Sequence, residues 1–64
     1  MNLLQVIEEM NVGDIAFASF DFFDYWHILK REDGAIVYCE ADGKHQNEIV
    51  GLTYSNLNSS YRIL

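Results

Sequence analysis

A thiol, two imidazoles and ten carboxylates are the groups in this 64-residue chain from which a reactive centre could be assembled. Cys39 paired with His27 or His45, with a carboxylate orienting the imidazole, would make an acyl-transfer nucleophile. The strand pattern described below places His27 on a strand beside the one that carries Cys39. Yet Cys39 closes the apolar run Ala35-Ile36-Val37-Tyr38, and thiols in apolar surroundings stay protonated and inert. Zinc chemistry needs ligands in pairs at short spacing. His27, Cys39 and His45 stand singly, with no Cys-x-x-Cys or His-x-x-x-His. The carboxylates do not alternate in the manner of a calcium loop. The four glycines are dispersed and form no phosphate-cradling loop. These residues predict a protein that is not an enzyme and holds no metal or cofactor.

The stretch Val12-Gly13-Asp14-Ile15-Ala16-Phe17, followed by Tyr25-Trp26-His27-Ile28, is loosely similar to the Gly-Asp … His portion of small papain-like hydrolases. In those families the nucleophilic cysteine stands in a region of a larger chain that has no counterpart here. The similarity therefore implies no activity for this chain.

Charge is the more informative property. Ten carboxylates face four bases, for a net charge of −6 and an isoelectric point near 4.4. Lys30, Arg31, Lys44 and Arg62 are scattered, whereas affinity for phosphates comes from clustered Lys and Arg. Direct binding to nucleic acid or to an anionic membrane surface is disfavoured. A basic protein surface is the complementary partner. Glu8, Glu9, Asp14, Asp21 and Asp24 follow one another without an intervening base; Glu32, Asp33, Glu40 and Asp42 form a second such series. The first series runs into Phe20-Asp21-Phe22-Phe23-Asp24-Tyr25-Trp26. Five aromatic rings in seven residues cannot all turn inward from a strand and a bend. Exposed rings beside charge are the usual anchors of protein interfaces. The candidate contact residues are Asp21, Asp24, Glu32, Asp33, Glu40 and Asp42, with Phe22, Phe23 and Tyr25 as anchors.

The elements that must position these groups follow from local pattern. Asn2 and Gln5 have capping-box spacing, and Leu3, Leu4, Val6, Ile7 and Met10 form a helical stripe. Asn11 or Gly13 offers a left-handed exit. Segments 14–20, 25–31, 35–41 and 45–52 read as strands, separated by Asp21–Asp24, Asp33-Gly34 and Asp42-Gly43. Segment 35–41 is apolar on both faces and reads as the central strand. The polar run 53–60 suggests a 3₁₀ turn, and Tyr61–Leu64 a closing edge strand. The expected fold is α+β in a single domain, residues 1–64. One N-terminal helix packs on an antiparallel sheet of four or five strands, with curling toward a small barrel as an open alternative.

In size, charge and lack of catalytic groups the chain resembles the small acidic inhibitors that bacteriophages encode against host nucleic-acid machinery, anti-CRISPR proteins and DNA mimics among them. The resemblance is of type and covers no defined stretch. It implies a stoichiometric inhibitor occupying the basic nucleic-acid-binding site of a host protein or CRISPR effector complex. The setting would be the cytoplasm of a bacterial host, with the inhibitor a monomer or weak dimer and no membrane involved. A globule of this mass is about 28 Å across, close to eight base pairs of duplex. The alternative is a structural or regulatory interaction module that docks through its aromatic patch. A sponge for a signalling nucleotide ranks below both, since it would need phosphate contacts that four scattered bases scarcely supply.

Overall fold

In a computed structural model that describes residues 1–64, helix α1 (Leu3–Glu9) opens the chain, capped as its sequence dictates. The Asn2 side chain accepts from the Gln5 N–H, and the Gln5 side chain accepts from the Asn2 N–H, both at 2.9 Å. Met10 closes the helix in an extended conformation, and Gly13, at φ 89°, turns the chain into the sheet. The Lys30 ammonium donates to the Ile7 and Met10 carbonyls, which a helix C-terminus leaves without partners. Leu3, Val6 and Met10 are buried, each burial stabilising by about 1.5–3 kcal/mol. Leu4, expected on the same stripe, is 65% exposed. Seven residues are two turns, and only one face of them reaches the sheet.

Strands β1 (Ile15–Phe20), β2 (Asp24–Lys30), β3 (Ile36–Cys39) and β4 (Ser60–Ile63) form one antiparallel sheet in the order β3-β2-β1-β4. The sheet stays open and does not close into a barrel. Helix α2 (Tyr54–Asn58) replaces the expected 3₁₀ turn, with Thr53 as its cap. Alternation along the strands sends Ala16, Ala18, Ile28, Ile36 and Tyr61 to the side covered by α1, where they form the core with Leu3, Val6 and Met10. Trp26, Tyr38 and Ile63 line its margin.

β3 is an edge strand of the sheet and not the central one. Its two apolar faces have a different cause. Ile36 enters the core under α1, while Val37 is fully buried on the opposite side. There the Asp42-Gly43 turn folds back against Ile15 and Leu29, neighbours of Val37 on that face, and the chain beyond it runs along the outer edge of β3. Asn47 and Glu48 exchange hydrogen bonds with Tyr38, and Val50 donates to Ile36. Only Val37↔Ile49 forms a bridge, so the expected strand 45–52 is reduced to a short pairing segment. The run Lys44–Glu48 is polar, His45 takes a left-handed φ of 54°, and Leu52 is exposed. The segment has little to bury.

Both Asp-Gly pairs form turns with positive φ at glycine, and the two turns share one design. In Arg31–Ala35 and again in Glu40–Lys44, the first residue's carbonyl accepts from the glycine N–H, and its own N–H donates to the fifth residue. Asp33 and Asp42 each accept from the N–H two residues on. Gly34 (φ 87°) faces open space, whereas a Cβ on Gly43 (φ 83°) would lie 3.1 Å from Ile15 Cδ1 and 3.3 Å from Leu29 Cδ1. Gly34→Val is expected to cost about 1 kcal/mol, and Gly43→Val more, because it adds this crowding to the strained dihedral. Thermal melts of the two variants check the order; equal melting to wild type would contradict it.

Candidate partner-binding face

The β1–β2 connection decides where the aromatic residues go. Phe20 and Asp24 form the last pair of the ladder, leaving Asp21, Phe22 and Phe23 to cross between the strands. Asp21 takes φ 66°, a conformation its short polar side chain tolerates, and its Oδ1 accepts from the Phe22 N–H. Three residues are too few to fold back onto the sheet. Phe22 is 96% exposed and Phe23 88%. Phe20 meets Tyr54 edge-on, with centroids 6.0 Å apart, which carries the aromatic surface onto α2. Tyr54 is itself exposed.

Of the nine candidate contact residues, the fold gathers five: Asp21, Phe22, Phe23, Asp24 and Tyr25. Tyr25 is set apart from the two phenylalanines in direction, since its ring stacks on Phe17 across the sheet face. Glu32 and Asp33 occupy the β2–β3 turn, about 20 Å away along β2 at the usual rise per residue. Glu40 and Asp42 lie on the loop that folds back over Ile15 and Leu29. The molecule measures 30 × 22 × 20 Å, so the two ends of the sheet can share only a partner surface of that length.

Two of the outlying carboxylates are engaged internally. Asp33 pairs with the Arg31 guanidinium, and Glu40 with His45 Nδ1. The Arg31 hydrogen bond, followed by that from the Ala35 N–H, holds the Asp33 carboxyl below the usual carboxylate range. The pair's contribution is present at neutral pH and is lost as pH falls through that lowered value. Asp21 and Asp24 make no ion pair. A shallow, open depression at the Glu32 end is lined by Val12, Gly13, Lys30 and Arg31 among others. Its two cations are already spent, on the α1 carbonyls and on Asp33.

His27 and Cys39 are direct partners across β2 and β3. Burial, and then the negative charge of Asp42, push the Cys39 thiol up, the opposite of what a nucleophile requires. No three His, Cys, Asp or Glu side chains converge on a point that would hold a metal ion. No helix is long and apolar enough to cross a membrane. At pH 8 iodoacetamide is expected to alkylate folded Cys39 several-fold more slowly than the urea-unfolded chain, the gap narrowing above a thiol's ordinary value of about 8.5. Equal rates would contradict the assignment.

A buried polar hub escaped the sequence reading. Asn56 is fully enclosed; its Nδ2 donates to Tyr38 Oη (2.7 Å) and to the Gly51 carbonyl (2.8 Å). Its own carbonyl accepts from the Tyr61 hydroxyl at 2.8 Å. This hub fixes α2, and with it Tyr54, beside β1. Comparison with protein families, curated proteins and solved structures finds no match to this chain.

Proposed function

We propose that the chain is a stoichiometric protein ligand that occupies a basic, nucleic-acid-binding site on another protein and so inhibits it. The β1–β2 end is its contact face. One observation carries this reading: two phenylalanines stand almost wholly in solvent on a turn flanked by unpaired carboxylates. Exposure of that kind is costly for a small domain and is explained by a partner that covers it. Phe22 and Phe23 offer on the order of 400 Å², about half of the roughly 800 Å² that each side of a standard interface contributes. A second copy of the chain is a poor occupant, since each carries a net charge of −6. Grooves that bind nucleic acid supply the opposite sign. The target would be a host defence or nucleic-acid-processing protein, the anti-CRISPR type of action.

In this reading the rings supply affinity and the carboxylates steer and orient. The internal pairing of Asp33 and Glu40 favours Asp21 and Asp24 as the functional charges. It also supports the alternative of an interaction module in which the aromatic patch acts alone. Capture from host extract with a tagged chain separates the two. A basic nucleic-acid-binding protein should be retained at low ionic strength and released near 1 M salt, where the Debye length is about 3 Å. Asp21→Lys with Asp24→Lys should reduce its capture tenfold or more. Retention in high salt, indifferent to charge reversal, would instead select the aromatic module.

A further inference from the structure

The sheet face opposite α1 is only partly covered. The loop after β3 shields Ile15, Leu29 and Val37, while the Phe17, Tyr25, His27 and Arg62 region stays accessible to solvent. Phe17 lies at its centre, stacked with Tyr25 (centroids 5.8 Å, 28° between planes) and edge-on to His27 at 5.5 Å. From the other side, the Arg62 guanidinium sits 5.3 Å from the Phe17 centroid. Arg62 is exposed and makes no ion pair, in a chain with ten carboxylates. No strand position on this face is acidic. Asp24, the one carboxylate within a strand, alternates to the other side. The paired Ser19 and Ser60 also belong to this face.

We propose that this face binds a single nucleoside phosphate, the base stacking on the exposed ring of Tyr25, which Phe17 backs, and the phosphate pairing with Arg62. Tyr25 is 67% exposed, which leaves ring surface for a second planar partner beyond the one it shares with Phe17. Base-on-aromatic stacking tolerates any base because each presents a π-face. A guanidinium matches phosphate oxygens in bidentate geometry. Ser19 and Ser60 hydroxyls can donate to or accept from sugar and base edges. The rigid sheet holds all six groups, so little ordering is required on binding. The same fold that scatters the other bases sets Arg62 where stacking and anion recognition coincide. A longer strand is disfavoured, because each further phosphate runs from Arg62 toward the carboxylates that flank the face, Asp42 beside Cys39 among them, and meets the net negative charge of the chain.

Amide chemical-shift titrations test this with four probes: adenosine monophosphate, uridine monophosphate, adenosine and inorganic phosphate. Both nucleotides should give saturable shifts at Phe17, Ser19, Tyr25 and Arg62, adenosine should bind about tenfold more weakly, and phosphate alone should leave the sheet unshifted. Arg62→Gln should reduce nucleotide affinity to that of the nucleoside; Tyr25→Ala should weaken nucleotide and nucleoside together. Both residues are exposed, and dispersion of the same spectra reports that the variants fold. Phe22→Ser with Phe23→Ser should leave nucleotide binding unchanged, which keeps this site distinct from the partner face. No saturable shift on the sheet, equal shifts with phosphate alone, or full affinity in Arg62→Gln would overturn the proposal. So would affinity that climbs with each nucleotide added to an oligoadenylate, which would reassign the face to a strand.

Discussion

Replacing Phe22 and Phe23 together with serine is expected to leave the fold intact and to weaken partner binding by about a hundredfold or more. The two rings touch the solvent over nearly their whole surface, so the folded state has little packing to lose. Surface changes of this sort fall within about ±0.5 kcal/mol of stability. In a complex, truncating a central aromatic anchor typically costs about 2 kcal/mol or more, and two such losses correspond to the hundredfold figure and beyond. If the turn is the proposed contact face, the pair is inert in the free protein and decisive in the bound one. Thermal melting, followed by titration against the captured partner, checks both halves. A variant that melts far below wild type would make Phe22 and Phe23 packing residues; one that binds unchanged would move the contact face elsewhere.

The largest effect on stability is expected at Asn56. Asn56→Ala removes the amide that donates to Tyr38 and to the Gly51 carbonyl, leaving both without that donor and opening a small cavity. Gly51 is exposed and its carbonyl can turn to water, so the cost comes from the half-buried Tyr38 hydroxyl and the vacated space; a buried group left unpaired costs about 1–3 kcal/mol. A single core of this size rarely supplies more than about 3–5 kcal/mol in total. The melting temperature should therefore fall by about 10 °C or more, and much of the variant would be unfolded on mild warming. Asn56→Asp is the sharper variant: similar in size, it turns a carboxylate oxygen toward the Gly51 carbonyl where the amide had donated. It should be at least as unstable as Asn56→Ala at neutral pH and should recover partly in acid as the carboxyl protonates. Melts of both variants within about 2 °C of wild type would contradict the hub.

Tyr61 adds an alkaline limit to the same region. Burial raises its hydroxyl above the ordinary phenol range. The folded state therefore binds that proton more tightly than the unfolded chain does. Its contribution is complete below the ordinary value and declines as pH rises through the raised one.

What was legible in the sequence was what short spacing encodes. The capping box of α1 and the left-handed glycines of the two Asp-Gly turns are set by residues within five positions of one another, and all are present. Strand order was not legible. β4 pairs with β1 through Tyr61↔Ala18 and Arg62↔Phe17, more than 40 residues apart in sequence, and nothing local in Tyr61–Leu64 names that neighbour. The apolar character of β3 on both faces was visible, but a returning loop covers a strand face as well as a second layer does. Asn56 was invisible for a related reason. It sits in the polar run 53–60, asparagine is seldom buried, and its partners Tyr38 and Tyr61 come from other elements.

The exposed aromatic turn was legible in part. The crowding of rings in Phe20–Trp26 predicted that some must be exposed, and the three-residue connection decides which. Alternation sends Trp26 to the core margin and Tyr25 to the open face, while Phe22 and Phe23 belong to neither. Charge counting alone could not separate free carboxylates from engaged ones. Arg31 lies two residues from Asp33, but His45 reaches Glu40 only because the Asp42-Gly43 turn brings them together. The Phe17–Arg62 juxtaposition, and the nucleotide site inferred from it, rests wholly on the β1–β4 register.

Occupation of a nucleic-acid-binding site is read directly by displacement. The captured partner is loaded with a fluorescently labelled duplex or single strand of its own preferred kind, and the chain is titrated in while anisotropy is followed. The label should be released as the chain approaches one equivalent per site, release should weaken steeply with added salt, and Asp21→Lys with Asp24→Lys should raise the concentration needed for it tenfold or more. A complex in which chain and nucleic acid are bound to the partner together, with anisotropy unchanged, would contradict it.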